Sequence, residues 1–200
     1  MAEYNMIRTV DYIFPTPIHC FDIEGFENIK NKLIDYAYDF KKREPIGESI
    51  SNQGGWQSPD FMVTNKDDLL HEFIIDCLNN FSGIKETVKY SILSWININH
   101  PGSYNTKHVH PSCNMSGVVW IKSPKNCGRI EFENPTIFQD YDLINAYVDE
   151  FKDRSNYHHS FAYKPIEGRF LVFPSHLVHR VEENKSNEDR ISVSFNIKLW

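Results

Sequence analysis

Basic runs, paired cysteines, long apolar stretches and internal repeats are all missing from this 200-residue chain. Each absence removes a class of function. The longest basic segment is Lys41-Lys42-Arg43, and the formal net charge is −6. Nothing here can neutralise a phosphate backbone, so nucleic acid is not expected as a partner. The short basic segment fits the last turn of a helix, where cations suit the helix dipole. The four cysteines, Cys20, Cys77, Cys113 and Cys127, form no Cys-x-x-Cys pair. That excludes zinc-ribbon and thioredoxin-type motifs and predicts reduced thiols. No run approaches the ~18 consecutive apolar residues of a membrane-spanning helix. Met1 to Val10 is polar, which predicts no secretory signal and a cytoplasmic protein.

What remains is ordinary in bulk. Hydrophobic residues make up 40% and charged residues 24%, so global disorder is not expected. The length predicts one domain with a sizeable core over residues 1–200. Its N-terminal part, about 1–85, reads as helical and the remainder, about 88–200, as a β core. Ile13 to Ile18 contains Pro15 and Pro17 and predicts an edge strand or extended arm. Phe26, Ile29, Leu33, Tyr36, Ala37 and Phe40 recur at helical spacing and predict a helix over about 26–42, stopped by Pro45. Residues 46–60 read as a loop. A second helix is expected over about 66–81, with Leu69, Leu70, Phe73, Ile74, Cys77, Leu78 and Phe81 on its buried side.

The character then changes. Tyr90 to Ile98, Met115 to Ile121, Gly128 to Phe132, Phe170 to Phe173 and Ile191 to Leu199 are rich in β-branched and aromatic residues and predict strands. Two helices followed by strands favour an α+β, mainly β fold with a sandwich or jelly-roll core. Residues 134–167 form a weakly patterned insertion containing Tyr141, Tyr147, Tyr157 and Tyr163. Long loops of that kind often contact substrate.

His108 and His110 carry the chemistry. Two residues one apart on a strand share a face, roughly 6 to 7 Å apart along the backbone. His179, far downstream, could complete a facial metal site that leaves positions open for O₂ and substrate. Alternating histidines are also ordinary polar residues of strands. Two turns strengthen the metal reading: Pro101-Gly102 precedes the pair, and Gly168-x5-Pro174 leads to His179. Arg190 and Ser192 lie two apart at the start of an alternating strand and so share a face. A guanidinium fork beside a hydroxyl makes a seat for a carboxylate. Asn97, Asn99 and Asn105 are further hydrogen-bonding candidates. Trp56, Trp95 and Trp120 read as core. His19, His71, His100, His158, His159 and His176 read as structural or exposed, and Cys113 as a buried small residue.

The full set of motifs runs Trp95-x-Asn97, Asn105-x-x-His108-Val109-His110-Pro111, Ser116-Gly117, Gly128 and Phe132-x-Asn134-Pro135. It continues with Gly168-x4-Phe173-Pro174-Ser175-x3-His179-x-Val181 and closes with Arg190-Ile191-Ser192-Val193-Ser194-Phe195-Asn196. Together with Phe14-Pro15-Thr16-Pro17 and Gly54-Gly55-Trp56-Gln57-Ser58, this resembles the 2-oxoglutarate/Fe(II)-dependent oxygenases of small bacterial and phage proteins. Those enzymes are double-stranded β-helix (jelly-roll) proteins distantly similar to prolyl hydroxylases. The resemblance spans nearly the whole chain. It implies a jelly-roll core with two N-terminal helices packed on it, and Fe(II) held by His108, His110 and His179. It also implies 2-oxoglutarate with its far carboxylate on Arg190 and Ser192, assisted by Asn97 and Asn105. The reaction implied is hydroxylation of a small-molecule or peptide substrate with O₂, releasing succinate and CO₂. For a phage-encoded chain the compartment implied is the host cytoplasm.

One departure stands out. Most such oxygenases carry His-x-Asp or His-x-Glu, and here the second position is His110. Imidazole does not neutralise a charge of Fe(II) as a carboxylate does, so His110 is either a third imidazole ligand or a neighbour of the ligands. A cupin-type three-histidine dioxygenase without 2-oxoglutarate is the alternative, although no glutamate follows the pair as cupins commonly have. A non-catalytic binding module on the same fold is the third reading. Substrate identity and oligomeric state are not written in the sequence.

Overall fold

The amphipathic segment after Gly25 folds as expected. Helix α1 runs Glu27–Arg43 with Leu33 and Ala37 buried. Glu27 lies in its first turn and Lys41, Lys42 and Arg43 in its last, the arrangement that suits the macrodipole. The computed structural model describes residues 15–62, 69, 72–75, 87–136, 146–155 and 158–200. Leu69 and residues 72–75 of the expected second helix are helical, and Phe73 and Ile74 pack into the core beside α1. The rest of that helix, and Ile13-Phe14 of the expected arm, lie outside the described residues.

Twelve strands make up the rest of the described fold: β1 His19–Asp22, β2 Asn52–Gln53, β3 Trp56–Gln57, β4 Phe61–Met62, β5 Tyr90–Asn99, β6 Tyr104–His108, β7 Met115–Lys122, β8 Ile130–Glu133, β9 Ser160–Tyr163, β10 Arg169–Pro174, β11 His179–Val181 and β12 Arg190–Leu199. They form two antiparallel sheets. One has the order β1-β10-β7-β12-β5-β3, with β4 also on β5; the other has the order β2-β6-β11-β8-β9. The fold is mainly β, as the strand-rich second half predicted. Among the described residues no helix is long and apolar enough to cross a membrane.

Strand alternation divides the core in two. On β7, Val119 and Ile121 face a cluster shared with α1, while Val118 and Trp120 face a cluster with Ile130 and Phe132 of β8. The second cluster joins the two sheets. Both faces of β7 are therefore buried: six of the eight positions of Met115–Lys122 are buried, and Val118 to Ile121 are four consecutive apolar residues for that reason. Gly117 is required at its crowded centre. A Cβ there would sit 2.1 Å from Phe195 Cζ and 2.5 Å from the Leu171 carbonyl oxygen. Gly117→Ala is expected to cost about 1–3 kcal/mol as an overpacking change. A lower urea midpoint at unchanged slope would show it; an unchanged midpoint would mean that Phe195 and the β10 backbone yield.

Three expectations need correction. Of the edge strand or extended arm expected over Ile13 to Ile18, the strand is absent from residues 15–18; pairing begins at His19, past the two prolines, which have no N–H to donate. The expected loop over 46–60 holds β2 and β3, two-residue strands created by pairing with β6 and β5. The insertion over 134–167 is not structureless: it contains a further helix, α2 (Asp149–Ser155), and β9, which extends the smaller sheet beyond β8.

Helix α1 is tied to the end of β5 and the start of β12 by a polar chain. Tyr38 donates to Asp189 (2.8 Å), the His100 ring bonds the other Asp189 oxygen (2.7 Å), and Lys41 reaches the far nitrogen of His100 (2.9 Å). His100 is thus a structural histidine, placed one residue beyond β5 and opposite the residue that precedes Arg190.

Candidate metal centre

Three of the nine histidines converge. His108 ends β6, and His179 opens β11 directly opposite it. Their rings lie 4.3 Å apart between centroids. A bulge makes this possible: His179 pairs His108 while Val181 pairs Asn105, so three steps on β6 match two on β11. Asn105 and His108 would otherwise face opposite sides; the extra residue lets both line one cavity. His110 does not lie on the same strand as His108, contrary to the expectation of a strand-borne pair. It sits beyond β6, before a turn, with its N–H donating to the Ser175 carbonyl (2.9 Å). Its Nε2 nonetheless comes within 3.3 Å of His179 Nε2. The ligating atoms of all three histidines lie within 4.8 Å of one another.

Hydrogen bonds set which nitrogens face inward. The Nδ1 atoms of His108 and His179 bond the carbonyls of Thr106 (2.7 Å) and Leu177 (2.8 Å), each two residues earlier in the chain. Donation from Nδ1 leaves Nε2 as a free lone pair, the tautomer a metal needs. Aromatic rings wall the site: Trp95 lies 5.6 Å from His110, and Phe173 and Phe132 lie 5.0 and 5.7 Å from His179. Burial therefore pushes the imidazoles toward the neutral form, His179 to about 3 and His110 to about 4, with the neighbouring histidine charge adding to the effect. His108 is lowered for the same first reason.

A stability consequence follows in metal-free protein. The folded-state values lie below the ordinary 6.5, so from about pH 6.5 downward the unfolded chain takes up protons that the folded chain refuses. Stability contributed by neutral burial is fully present above the unfolded value and is lost as pH falls toward 4 and then 3. The melting midpoint of metal-free protein is expected to drop steeply over that window, and less so in a His108→Ala/His110→Ala/His179→Ala variant. Parallel pH profiles for the two proteins would exclude the trio as the cause.

Arg190 sits in the same cavity. It is the largest fully buried side chain among the described residues, 1% exposed. One guanidinium nitrogen donates to the carbonyls of Cys127 (2.6 Å) and Gly128 (3.3 Å). Gly128 has φ +87°, and a Cβ there would strike the Glu182 carbonyl oxygen at 2.3 Å, so only glycine allows the turn that presents these carbonyls. Among the described residues no carboxylate pairs with Arg190. Desolvation lowers its pKa to about 10, and it remains a cation at neutral pH. A buried guanidinium without a counter-charge is costly unless something anionic arrives.

The cavity joins the trio and the arginine through polar groups. It is lined by Asn97, Asn99, Asn105, Ser192 and Ser194 as well as by the histidines and Arg190. Arg190, Ser192 and Ser194 alternate on β12 as expected. Ser194, whose hydroxyl accepts a bond from Asn97 (3.0 Å), was missed, although the same alternation points to it. Asn99 donates to Asn105 (3.4 Å), and Asn105 to the Ser51 hydroxyl (3.1 Å). His176 is exposed and stands outside the cluster.

The donor set fits a mid-row divalent metal, which imidazole nitrogens suit, and no carboxylate joins the cluster among the described residues. The lone buried guanidinium fits a dicarboxylate.

Comparison with known proteins agrees with this chemistry. A family model described as "Putative 2OG-Fe(II) oxygenase" matches residues 93–196, which contain all three histidines and Arg190. No curated protein matches the sequence. Among solved structures, a prolyl-4-hydroxylase from Pseudomonas putida superposes with a TM-score of 0.60 at 11% identity, covering 92% of each chain. A prolyl hydroxylase from Trichoplax adhaerens, bound to a peptide fragment of hypoxia inducible factor, gives 0.61 at 9% identity, covering 90% of this chain and 83% of that one. The α-ketoglutarate-dependent carbocyclase SnoK of nogalamycin biosynthesis gives 0.60 at 10% identity, covering 91% and 79%. At these identities the likeness is one of fold.

Proposed function

The chain belongs to the 2OG-Fe(II) oxygenase family, whose cofactor is Fe(II) and whose co-substrate is 2-oxoglutarate, and from that premise we propose that it hydroxylates an organic substrate at the His108, His110 and His179 centre. The observation that carries this reading is the pairing, in one cavity, of three inward imidazoles with a buried arginine that has no carboxylate partner among the described residues. The two sheets are read as a double-stranded β-helix, and residues 1–200 as a single domain.

His108, His110 and His179 would hold the iron. Arg190 and Ser192 would hold the far carboxylate of 2-oxoglutarate, with Asn97 and Asn105 supplying further hydrogen bonds. Bound iron would activate O₂, the oxidant, and 2-oxoglutarate would be the co-reductant: one oxygen atom would enter succinate as CO₂ leaves, and the other would turn a substrate C–H into C–OH. The protein's own part is orientation and exclusion of water. The bonds to Thr106 and Leu177 fix two imidazoles before any metal binds. Arg190, already desolvated, gives a charge-assisted fork to an anion without further reorganisation. Trp95, Phe132 and Phe173 keep the centre dry.

Substrate contacts are assigned to the insertion. His108, His179, Phe132 and Phe161 lie in one cross-strand row, and Phe161, at its end on β9, is 56% exposed. A small molecule or peptide reaching the metal along this row would meet that ring.

The test is anaerobic addition of Fe(II) and then 2-oxoglutarate to metal-free protein. A visible metal-to-ligand charge-transfer band is expected, because bidentate chelation of a keto acid by Fe(II) produces one. Bound iron without the band would favour a three-histidine dioxygenase that uses no 2-oxoglutarate, a reading for which the absence of a carboxylate ligand speaks. No bound metal would favour a binding module.

A further inference from the structure

We propose that a hydrogen-bonded chain behind the metal centre, running from Cys113 through the buried hydroxyls of Ser175 and Ser116 to Asn196, positions His110 for metal binding; this rests on the reading of His110 as a ligand.

His110 is held differently from its two partners. His108 and His179 lie in strands and are each oriented by a ring bond to a backbone carbonyl. Among the described residues the His110 ring nitrogens bond nothing but His179. Its ring packs against Trp95 and His179, and the remaining hydrogen bonds that hold it are those of its backbone. The loop that carries it is not self-sufficient: Ser112 has φ +66°, a left-handed conformation that a non-glycine residue keeps only when its surroundings impose it.

The surroundings are polar, with Ser116 and Ser175 buried and Cys113 and Asn196 half-buried. The His110 N–H donates to the Ser175 carbonyl (2.9 Å), and the His110 carbonyl accepts from the Cys113 thiol (3.2 Å). Both residues that grip His110 then meet, because the Cys113 thiol also reaches the Ser175 hydroxyl (3.2 Å). From there the chain continues to Ser116 (2.9 Å) and ends on the Asn196 side-chain oxygen (2.7 Å).

Proton counting gives it a direction. Ser116 has one hydroxyl proton and donates it to Asn196, so Ser175 must donate to Ser116, and the single Cys113 thiol proton is shared between the His110 carbonyl and the Ser175 oxygen, each 3.2 Å away. Three protons serve the four contacts, and the chain terminates on β12, the strand that bears Arg190. Ser116 and Ser175 are each 1% exposed, so water cannot replace a lost link cheaply. Neither lines the cavity, so both act on the metal through His110. They are positioning residues.

The experiment titrates Co(II) alone into metal-free wild type, Ser175→Ala, His110→Ala and the double variant, recording affinity, the Co(II) ligand-field spectrum and the melting midpoint. Losing the link is expected to weaken Co(II) about tenfold, the lower end for groups that orient a metal ligand. The Ser175→Ala spectrum is expected to shift toward that of His110→Ala. In the His110→Ala background the serine substitution is expected to change neither affinity nor spectrum. Equal weakening in both backgrounds, or none in either, would overturn the positioning role while leaving the metal centre intact. Wild-type affinity and spectrum in His110→Ala would remove His110 from the ligand set, and the proposal with it. Should Ser175→Ala not fold, Ser116→Ala interrupts the same chain one link on and is read by the same comparison. Cys113→Ser, which keeps a donor, is expected to behave as wild type.

Discussion

Arg190→Met is expected to abolish tight binding of 2-oxoglutarate while leaving Fe(II) binding within a few-fold of wild type. The guanidinium is fully buried, lies in the cavity of the three histidines and has no carboxylate partner among the described residues. Truncating one side of a buried, hydrogen-bonded charge pair costs roughly 2–5 kcal/mol. That is about 30-fold to several thousand-fold in dissociation constant. Methionine is chosen because it fills much of the vacated volume without charge. Arg190→Lys keeps the charge but loses the fork and should fall between the two. The measurement is a titration of the Fe(II) protein with 2-oxoglutarate, followed by the charge-transfer band. A thermal shift gives independent support, since a ligand of the folded state raises its midpoint by mass action. 2-Oxoglutarate should stabilise the wild type and not Arg190→Met. Equal affinity in the two proteins would move the co-substrate site elsewhere and leave the buried cation unexplained.

His179→Ala should have the larger effect on the metal itself. His179 is 3% exposed, stands opposite His108 in register and is packed between Phe132 and Phe173. Its ring is therefore fixed before metal arrives, and among the described residues the cluster holds no fourth His, Cys, Asp or Glu. Groups that merely orient a ligand are worth roughly 10–100-fold in affinity, so loss of a preorganised ligand should exceed that range. Anaerobic Fe(II) calorimetry would read it. His110→Ala should weaken binding less, because its loop can admit water where the imidazole was. Retained Fe(II) stoichiometry and affinity in His179→Ala would end the three-histidine assignment.

Much of this was legible before the structure. Arg190 and Ser192 share a face because β12 alternates without interruption from Arg190 to Leu199, and a period of two is a local property that sequence displays. β5 and β7 were equally plain, being long and rich in β-branched and aromatic residues. Other features depend on partners far away. Asn52–Gln53 and Trp56–Gln57 are strands because β6 and β5 lie beside them, not because of their own residues. The bulge that brings Asn105 and His108 to one side is a property of β6 against β11, and parity counting alone sends them apart. The departure of His110 from the strand follows from a turn with Ser112 at positive φ, a conformation for which serine gives no signal. Ser116 and Ser175 look like any other serines until burial and bonding single them out.

The indole of Trp95, 5.6 Å from the His110 ring, gives the molecule an intrinsic optical reporter. Its emission should dim when a paramagnetic or open-shell ion such as Fe(II), Co(II) or Cu(II) enters, and should be little affected by Zn(II), whose filled shell offers no quenching route. Occupancy of the centre could then be followed in real time, in dilute protein and without any added dye.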